Sequence, residues 1–319
     1  AEPVGGGPVG GGGGGQAIAL CIGLNAVDPQ HYAGWAGTLL GCEPDANDMT
    51  VIANGRGFAT TKLLTKAATR DAVLKQIRQA AGQLKNGGIF MISYSGHGGQ
   101  VPDAHAPPQD NGMAQTWCLY DGELLDKELY AEWSKFAAGV RVLVISDSCH
   151  SEGIAKMVPA DYRIDLARGG PAGPDVAGAR RLAELKGLFD ATAAKDRGVR
   201  MKALPPAESI ATYQAEKVRY DKIARDVARP ASPIAPWVMT LAACKNDQLA
   251  GDTPQNGIFT AALKGVWAGG AFAGDYRAFH TAVAAAAAKV RPAQDAQRRM
   301  IDNESDAYWR QRPFTTAAP

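Results

Sequence analysis

Ile89-Phe-Met-Ile-Ser-Tyr-Ser-Gly-His-Gly-Gly99 and Val142-Leu-Val-Ile-Ser-Asp-Ser-Cys-His-Ser151 are two apolar, β-prone runs. Each ends in small residues around one reactive side chain, His97 in the first and Cys149 in the second. Short apolar runs bounded by turn residues read as buried strands. In an open parallel sheet the chemistry gathers outside the carboxyl ends of such strands. A thiol and an imidazole at two strand ends point to a cysteine hydrolase.

The flanking sequence supplies the rest of an α/β pattern. Ala17–Gly23 reads as a buried first strand, and Glu43–Met49, with Pro44 and three acids, as a helix start. Lys62–Thr65 is a candidate second strand. Thr69 is a good N-cap for a helix whose apolar positions Val73, Ile77, Ala80, Ala81 and Leu84 keep helical spacing. A loop holding Pro102, Pro107 and Pro108 follows the His97 strand, then a helix near Asp126–Ala137, then the Cys149 strand. Trp237–Ala243 resumes the sheet, with helices expected over Ile258–Trp267 and Tyr276–Val290. Strands and helices alternating at this spacing imply parallel crossovers.

Two segments stand outside that pattern. Residues 1–15, nearly all Gly, Pro and Val, cannot offset their ordering entropy and are expected to form a flexible lead-in to a single domain over 16–319. From about 154 to 236 the alternation lapses, longer than compact connections usually run. This insertion is rich in Arg and Lys, among them Arg163, Arg168, Arg180, Arg181, Lys195, Arg197, Arg200 and Lys202, and carries one expected helix at Glu208–Val227.

Composition excludes several classes. A net charge of +2 from 34 basic and 32 acidic residues gives no case for a nucleic-acid partner. No run of about 18 apolar residues is present, so no membrane span is expected. The five cysteines, Cys21, Cys42, Cys118, Cys149 and Cys244, form no paired framework, and free thiols in a reducing, cytoplasmic compartment are the simpler reading. Gly10–Gly15 lacks the Gly-Lys-Ser/Thr of a phosphate loop, and the His and Cys residues lack the short paired spacing of zinc ligands, so no metal site is expected.

Tyr94-Ser-Gly-His-Gly-Gly-Gln100, Asp147-Ser-Cys-His-Ser151, Leu40-Gly-Cys-Glu-Pro-Asp-Ala46 and Leu241-Ala-Ala-Cys-Lys-Asn-Asp-Gln248 fall in an order and spacing that resembles the metacaspases, whose bacterial branch is often called orthocaspases. The similarity runs from about Ala17 to the end of the chain. It implies the caspase-like (caspase-hemoglobinase) fold of the clan CD cysteine peptidases, with a mostly parallel central sheet flanked by helices. It also implies a Cys-His dyad, polypeptide substrates cut after Arg or Lys, and a monomer. By the same resemblance, Asp45 and Asp147 line the pocket for the residue before the cut, together with Cys42 and Ser95.

The residues suit that chemistry on physical grounds. Cys149 attacks as thiolate and needs a base, for which His97 is the candidate. Glycines around His97 free a backbone N–H, that of Gly98, to join the N–H of Cys149 in an oxyanion hole. Asp147 lies two residues before Cys149, so strand alternation can point both to one face. Two carboxylates in the pocket would favour a guanidinium or ammonium and repel an acidic substrate.

Calcium activates many metacaspases, but here Lys127 follows Asp126 where a second acid is expected, and Lys156 stands where another aspartate could be. Cationic side chains oppose a hard cation that wants six or more oxygens. No cofactor and no strong calcium requirement are therefore expected. The insertion reads either as a solvated flap or as a cover over the cleft with cleavage sites for the enzyme itself. Two other classes stay open: a caspase-like binding or scaffold protein with a masked dyad, and a phosphate binder using the Ser95–Gly99 turn, which has no obvious helix behind it.

Overall fold

The computed structural model describes residues 15–103, 112–148, 187, 199–227, 233–245 and 248–317. The expected lead-in, Cys149 and most of the basic insertion lie outside the described residues.

A six-stranded sheet runs β2-β1-β3-β7-β9-β11, built from β1 (Ala17–Gly23), β2 (Ala59–Leu64), β3 (Ile89–Ser95), β7 (Arg141–Asp147), β9 (Trp237–Ala242) and β11 (Gln297–Ile301). All neighbours are parallel except β11, which pairs antiparallel with β9 along one edge. A second, antiparallel sheet joins β4 (Gly98–Pro102), β5 (Met113–Leu119) and β6 (Gly122–Leu125). Two short strands, β8 (Arg200–Met201) and β10 (Gly251–Asp252), pair antiparallel with each other.

The described helices are α1 (Cys42–Gly55), α2 (Arg70–Gln83), α3 (Asp126–Trp133), α4 (Pro206–Ala215), α5 (Lys217–Asp226), α6 (Ile258–Trp267), α7 (Tyr276–Val290) and α8 (Asp306–Trp309). They cover both faces of the main sheet, which is why its strands read as continuous apolar runs. On one face Ala19, Cys21, Met91, Leu143 and Met239 pack with Met49 of α1, Phe259 and Leu263 of α6, and Phe279 and Val283 of α7. On the other, Ile22, Phe90, Ile92, Val142 and Val144 pack with Val73 and Ile77 of α2 and Leu129 and Trp133 of α3. Alternate residues of one strand thus feed two cores. None of the described helices is long and apolar enough to cross a membrane.

Most sequence boundaries hold, including Thr69, whose side chain accepts from Ala72 N as the cap of α2. Three do not. The proline-bearing loop after His97 contains the strands β4 and β5, because antiparallel pairing between them outweighs the weak local signal of Gly-Gly-Gln-Val-Pro. The single helix expected at 208–227 is two helices, broken at Glu216 (φ −111, ψ 20), where Lys217 Nζ, Tyr213 Oη and Asp221 form a polar cluster across the break. The helix expected to run to Ala137 stops at Trp133, after which Phe136 turns back into the core.

Candidate active site

The main sheet's register brings the expected site together at its carboxyl edge. Ser95, the last residue of β3, lies directly opposite Asp147, the last of β7. His97 follows two residues beyond Ser95, and its own carbonyl is held twice, by Tyr94 Oη at 2.7 Å and by Cys118 N at 2.9 Å. The Tyr94 ring stacks on Trp117 with centroids 4.5 Å apart, so the turn carrying His97 is tied to both sheets. Cys149, two residues after Asp147 in sequence, lies outside the described residues.

The His97 ring is only 4% exposed. Its Nε2 lies 2.8 Å from the Gly37 carbonyl oxygen. A carbonyl only accepts, so this contact assigns the ring proton to Nε2 and leaves the lone pair on Nδ1. Nδ1 is buried and makes no hydrogen bond within the described residues. Burial lowers the His97 pKa to about 4, with the Lys202 charge adding to the effect and the Gly37 and Ala203 backbone opposing it. Trp35 packs on the ring at 4.6 Å. Gly37 adopts φ +52, and a Cβ there would lie 2.6 Å from the Trp35 ring, so only glycine presents this carbonyl.

Beside the imidazole, two acids and one hydroxyl close on one ammonium. Lys202 Nζ is 3.0 Å from Asp45 Oδ2, 3.2 Å from Asp147 Oδ1 and 2.9 Å from Ser95 Oγ. The lysine is fully buried. Ser95 Oγ also donates to Asp45 at 2.6 Å. Asp45, in the first turn of α1, further accepts from Gly257 N and Asn256 Nδ2. Asp147 Oδ2 accepts from Thr260 N at 2.9 Å and Thr260 Oγ1 at 2.7 Å, so it caps α6 while facing the lysine. A Cβ at Gly257 would collide with both Lys202 Nζ and Asp147 Oδ2.

The electrostatics follow from two buried carboxylates around one cation. Burial pulls the Lys202 ammonium down, but Asp147 and Asp45 outweigh it and hold the pKa well above the ordinary lysine value. Asp45 is itself raised to about 6, by burial first and by Asp147 as well, against the lowering pull of Lys202. Two carboxylates thus share one cation, and burial beside Asp147 disfavours the charged form of Asp45. Cys42 lies at the same end of α1, with Sγ 3.9 Å from Asp252 Oδ1, and burial pushes its thiol pKa well up, so it is a neutral wall residue.

The chain around Lys202 lies across the strand ends as an extended segment. Gly98 N donates to the Lys202 carbonyl at 3.0 Å, and Leu204 N donates to the Gly98 carbonyl at 2.8 Å. Lys202 N donates to Ala250 O at 3.0 Å, and Arg200 and Met201 pair with Asp252 and Gly251. The N–H expected from sequence as an oxyanion donor is thus bonded to a peptide carbonyl that follows a basic side chain lodged between two aspartates.

His97, Gly98, Cys42, Asp45, Ser95 and Asp147 are all brought to one edge. Sequence reasoning missed Gly37, Trp35, Asp252 and Gly257. Asp252 accepts from Leu40 N and Gly41 N at the start of α1. No local signal marks Gly37 or Asp252, because each acts on a segment far away in sequence. Lys202 was one basic residue of the insertion among many, and only the fold singles it out.

Comparisons with known proteins bear on the family and the fold. The family model described as caspase domain matches residues 16–308. Metacaspase-7 of Arabidopsis thaliana is 30% identical over 43% of this chain and 35% of its own length. Metacaspase-1 of Schizosaccharomyces pombe is 28% identical over 78% of this chain and 58% of its own. The chain therefore spans between about a third and three fifths of these relatives. A Geobacter sulfurreducens protein of known crystal structure superposes with TM-score 0.76 at 41% identity, covering 94% of this chain and 99% of that one. Caspase-1 of Spodoptera frugiperda superposes with TM-score 0.50 at 10% identity, over 91% of this chain and 87% of its own, a likeness of fold.

Proposed function

This chain belongs to the caspase-domain family, and from that premise we propose that it is a cysteine endopeptidase that cuts polypeptides after Lys or Arg, with Cys149 as nucleophile and His97 as base. The observation that carries the specificity is Lys202, whose ammonium sits between Asp45 and Asp147 while its own carbonyl accepts from Gly98 N. A substrate Lys or Arg in that position would meet the same two carboxylates and the same amide. An aspartate there would face two like charges.

The steps follow from the groups present. His97 Nδ1 takes the thiol proton of Cys149, and the sulfur attacks the carbonyl carbon after the basic residue. The carbonyl oxygen becomes an oxyanion held by Gly98 N–H, a donor of a kind worth about 3 kcal/mol in the transition state. His97 then gives its proton to the leaving amine as the C–N bond breaks, and a thioester remains. Water attacks the thioester with His97 again taking a proton, which releases the carboxylate and restores the thiol. The Gly37 carbonyl keeps Nδ1, not Nε2, as the basic atom throughout.

In the intact chain the segment at 200–204 fills this cleft, which gives the Lys202–Ala203 bond the position of a self-cleavage site and makes the uncut protein its own inhibitor. The same cover favours a second reading, a binding protein with a masked dyad. A fluorogenic arginyl peptide separates the two. Turnover by the wild type, absent in both Cys149→Ala and His97→Ala, is expected of the peptidase. Turnover surviving in either variant, or none from wild type even after the covering segment is cut, would defeat it.

A further inference from the structure

Beyond the basic pocket, the cleft holds a second ordered side chain of the covering segment. Leu204 stands two residues past Lys202 and is only 1% exposed. It packs with Val27, Tyr32 and Cys118, with Trp35 against the same cluster. These walls come from the first loop of the domain and from β5, not from the insertion that Leu204 belongs to. They are braced independently of it: Tyr32 Oη donates to Leu119 O at 2.7 Å, Val27 N to Ala36 O at 3.0 Å, and Trp35 N to Tyr32 O at 2.9 Å.

The cluster is also in register with the chemistry. Gly98 brackets Ala203, donating to the carbonyl before it and accepting from the amide after it. Cys118, which forms part of the wall, donates its N–H to the His97 carbonyl. Trp35 touches both the wall and the His97 ring. A peptide clamped by Gly98 with a basic residue in the acidic pocket therefore presents its second residue after the cut to this apolar wall.

We propose that Val27, Tyr32, Trp35 and Cys118 form a leaving-group-side subsite that selects an apolar residue two positions beyond the cut bond. The proposal rests on the endopeptidase reading above, in which residues 200–204 lie as a substrate would. An acidic residue at that position would be desolvated against the aromatic and aliphatic side chains of Val27, Tyr32 and Trp35, none of which is a cation. A glycine would leave the wall uncovered and lose the gain from burying a leucine-sized side chain.

Three internally quenched peptides test this, identical except for Arg-Ala-Leu, Arg-Ala-Gly or Arg-Ala-Asp across the cut. Each is read relative to a short arginyl aminocoumarin substrate, which offers nothing to this subsite. The Leu peptide is expected to exceed the Gly peptide by about tenfold in kcat/KM, with the Asp peptide lower still. In Val27→Arg the order of Leu and Asp is expected to reverse. The protein's own Leu204 competes for the same wall, so the series is repeated in Leu204→Ser, where the same ranking with a lower KM is expected. Equal kcat/KM for the three peptides, or loss of the ranking in Leu204→Ser, overturns the subsite and leaves arginyl cleavage standing. Failure to cut the short substrate as well overturns the endopeptidase reading and the subsite with it.

Discussion

Gly98 N lies 3.0 Å from the carbonyl oxygen of Lys202, so the donor that an oxyanion would need is already bonded to the protein's own backbone. The Lys202 side chain makes the contact more than a stray backbone bond. Its ammonium is fully buried against two aspartates, and such a charge is tolerable only because the partners are in place. The cleft is thus occupied by a segment whose local concentration no free peptide matches.

If that segment is a self-substrate, incubation should produce a fragment whose first residue is Ala203. Lys202→Arg should keep the cut, because a guanidinium suits two carboxylates as well. Lys202→Gln should abolish it and, by leaving Asp45 and Asp147 buried without a cation, lower stability by roughly 3 to 5 kcal/mol. N-terminal sequencing of the fragment and urea unfolding of the uncut variants read the two effects. A first cut at another residue, unaffected by Lys202→Gln, would refute the assignment.

His97 should make stability depend on pH in a defined window. An unfolded histidine takes its proton as pH falls through about 6.5, whereas buried His97 resists until about 4. The unfolded state therefore binds more protons between those values, and stability falls as pH drops across them. The full contribution is retained above pH 6.5 and, at about 1.4 kcal/mol per unit, on the order of 3 kcal/mol is lost by pH 4. Unfolding free energies of Cys149→Ala, with and without His97→Gln, should diverge in slope over this range. Parallel curves would show that the imidazole titrates normally.

Asp45→Asn should weaken selection of basic substrates without removing the nucleophile or base. Hydrogen bonds to charged groups are worth about 1.5 to 3 kcal/mol, so kcat/KM for an arginyl peptide should fall roughly tenfold to hundredfold, mainly through KM. Because the Asp45 carboxyl is raised to about 6 by burial, the wild-type KM should also rise as pH drops below that value and the pocket loses a negative charge. A KM for arginyl peptides no higher in Asp45→Asn than in wild type would place the selection elsewhere.

The calcium expectation can be tested at Lys127. Its Nζ donates to Asp103 Oδ2 and to the Ala224 carbonyl, each at 2.7 Å, linking the loop after the His97 turn to α5. An ammonium already in contact with Asp103 opposes a second cation there. Turnover of an arginyl peptide should be unchanged by a chelator and by added calcium, and a severalfold rise on adding calcium would contradict this reading.

The fold was legible where local pattern and tertiary demand coincide. Ile258–Trp267 and Tyr276–Val290 are helices with the boundaries their periodicity predicts, and Ala17–Gly23 is the buried strand it reads as. Strand β4 was not legible, since glycine and proline weaken its signal and pairing with β5 forms it, while β5 is held between β4 and β6. The break at Glu216 was equally hidden, as it depends on contacts that a linear helical pattern does not carry.

The chain's linear order alone determined an alternating α/β architecture, an imidazole at one strand end, a thiol two residues past Asp147, and acids suited to a cationic side chain. Those properties are local, set by side-chain type and periodicity of two or 3.6. Which of many basic residues would fill the acid pocket, that Gly37 would orient the imidazole, and that Leu204 would find an apolar wall were decided only in three dimensions. Lys202 meets Asp45 across 157 positions of chain. Contacts of that range exist only once the sheet has brought its strand ends together.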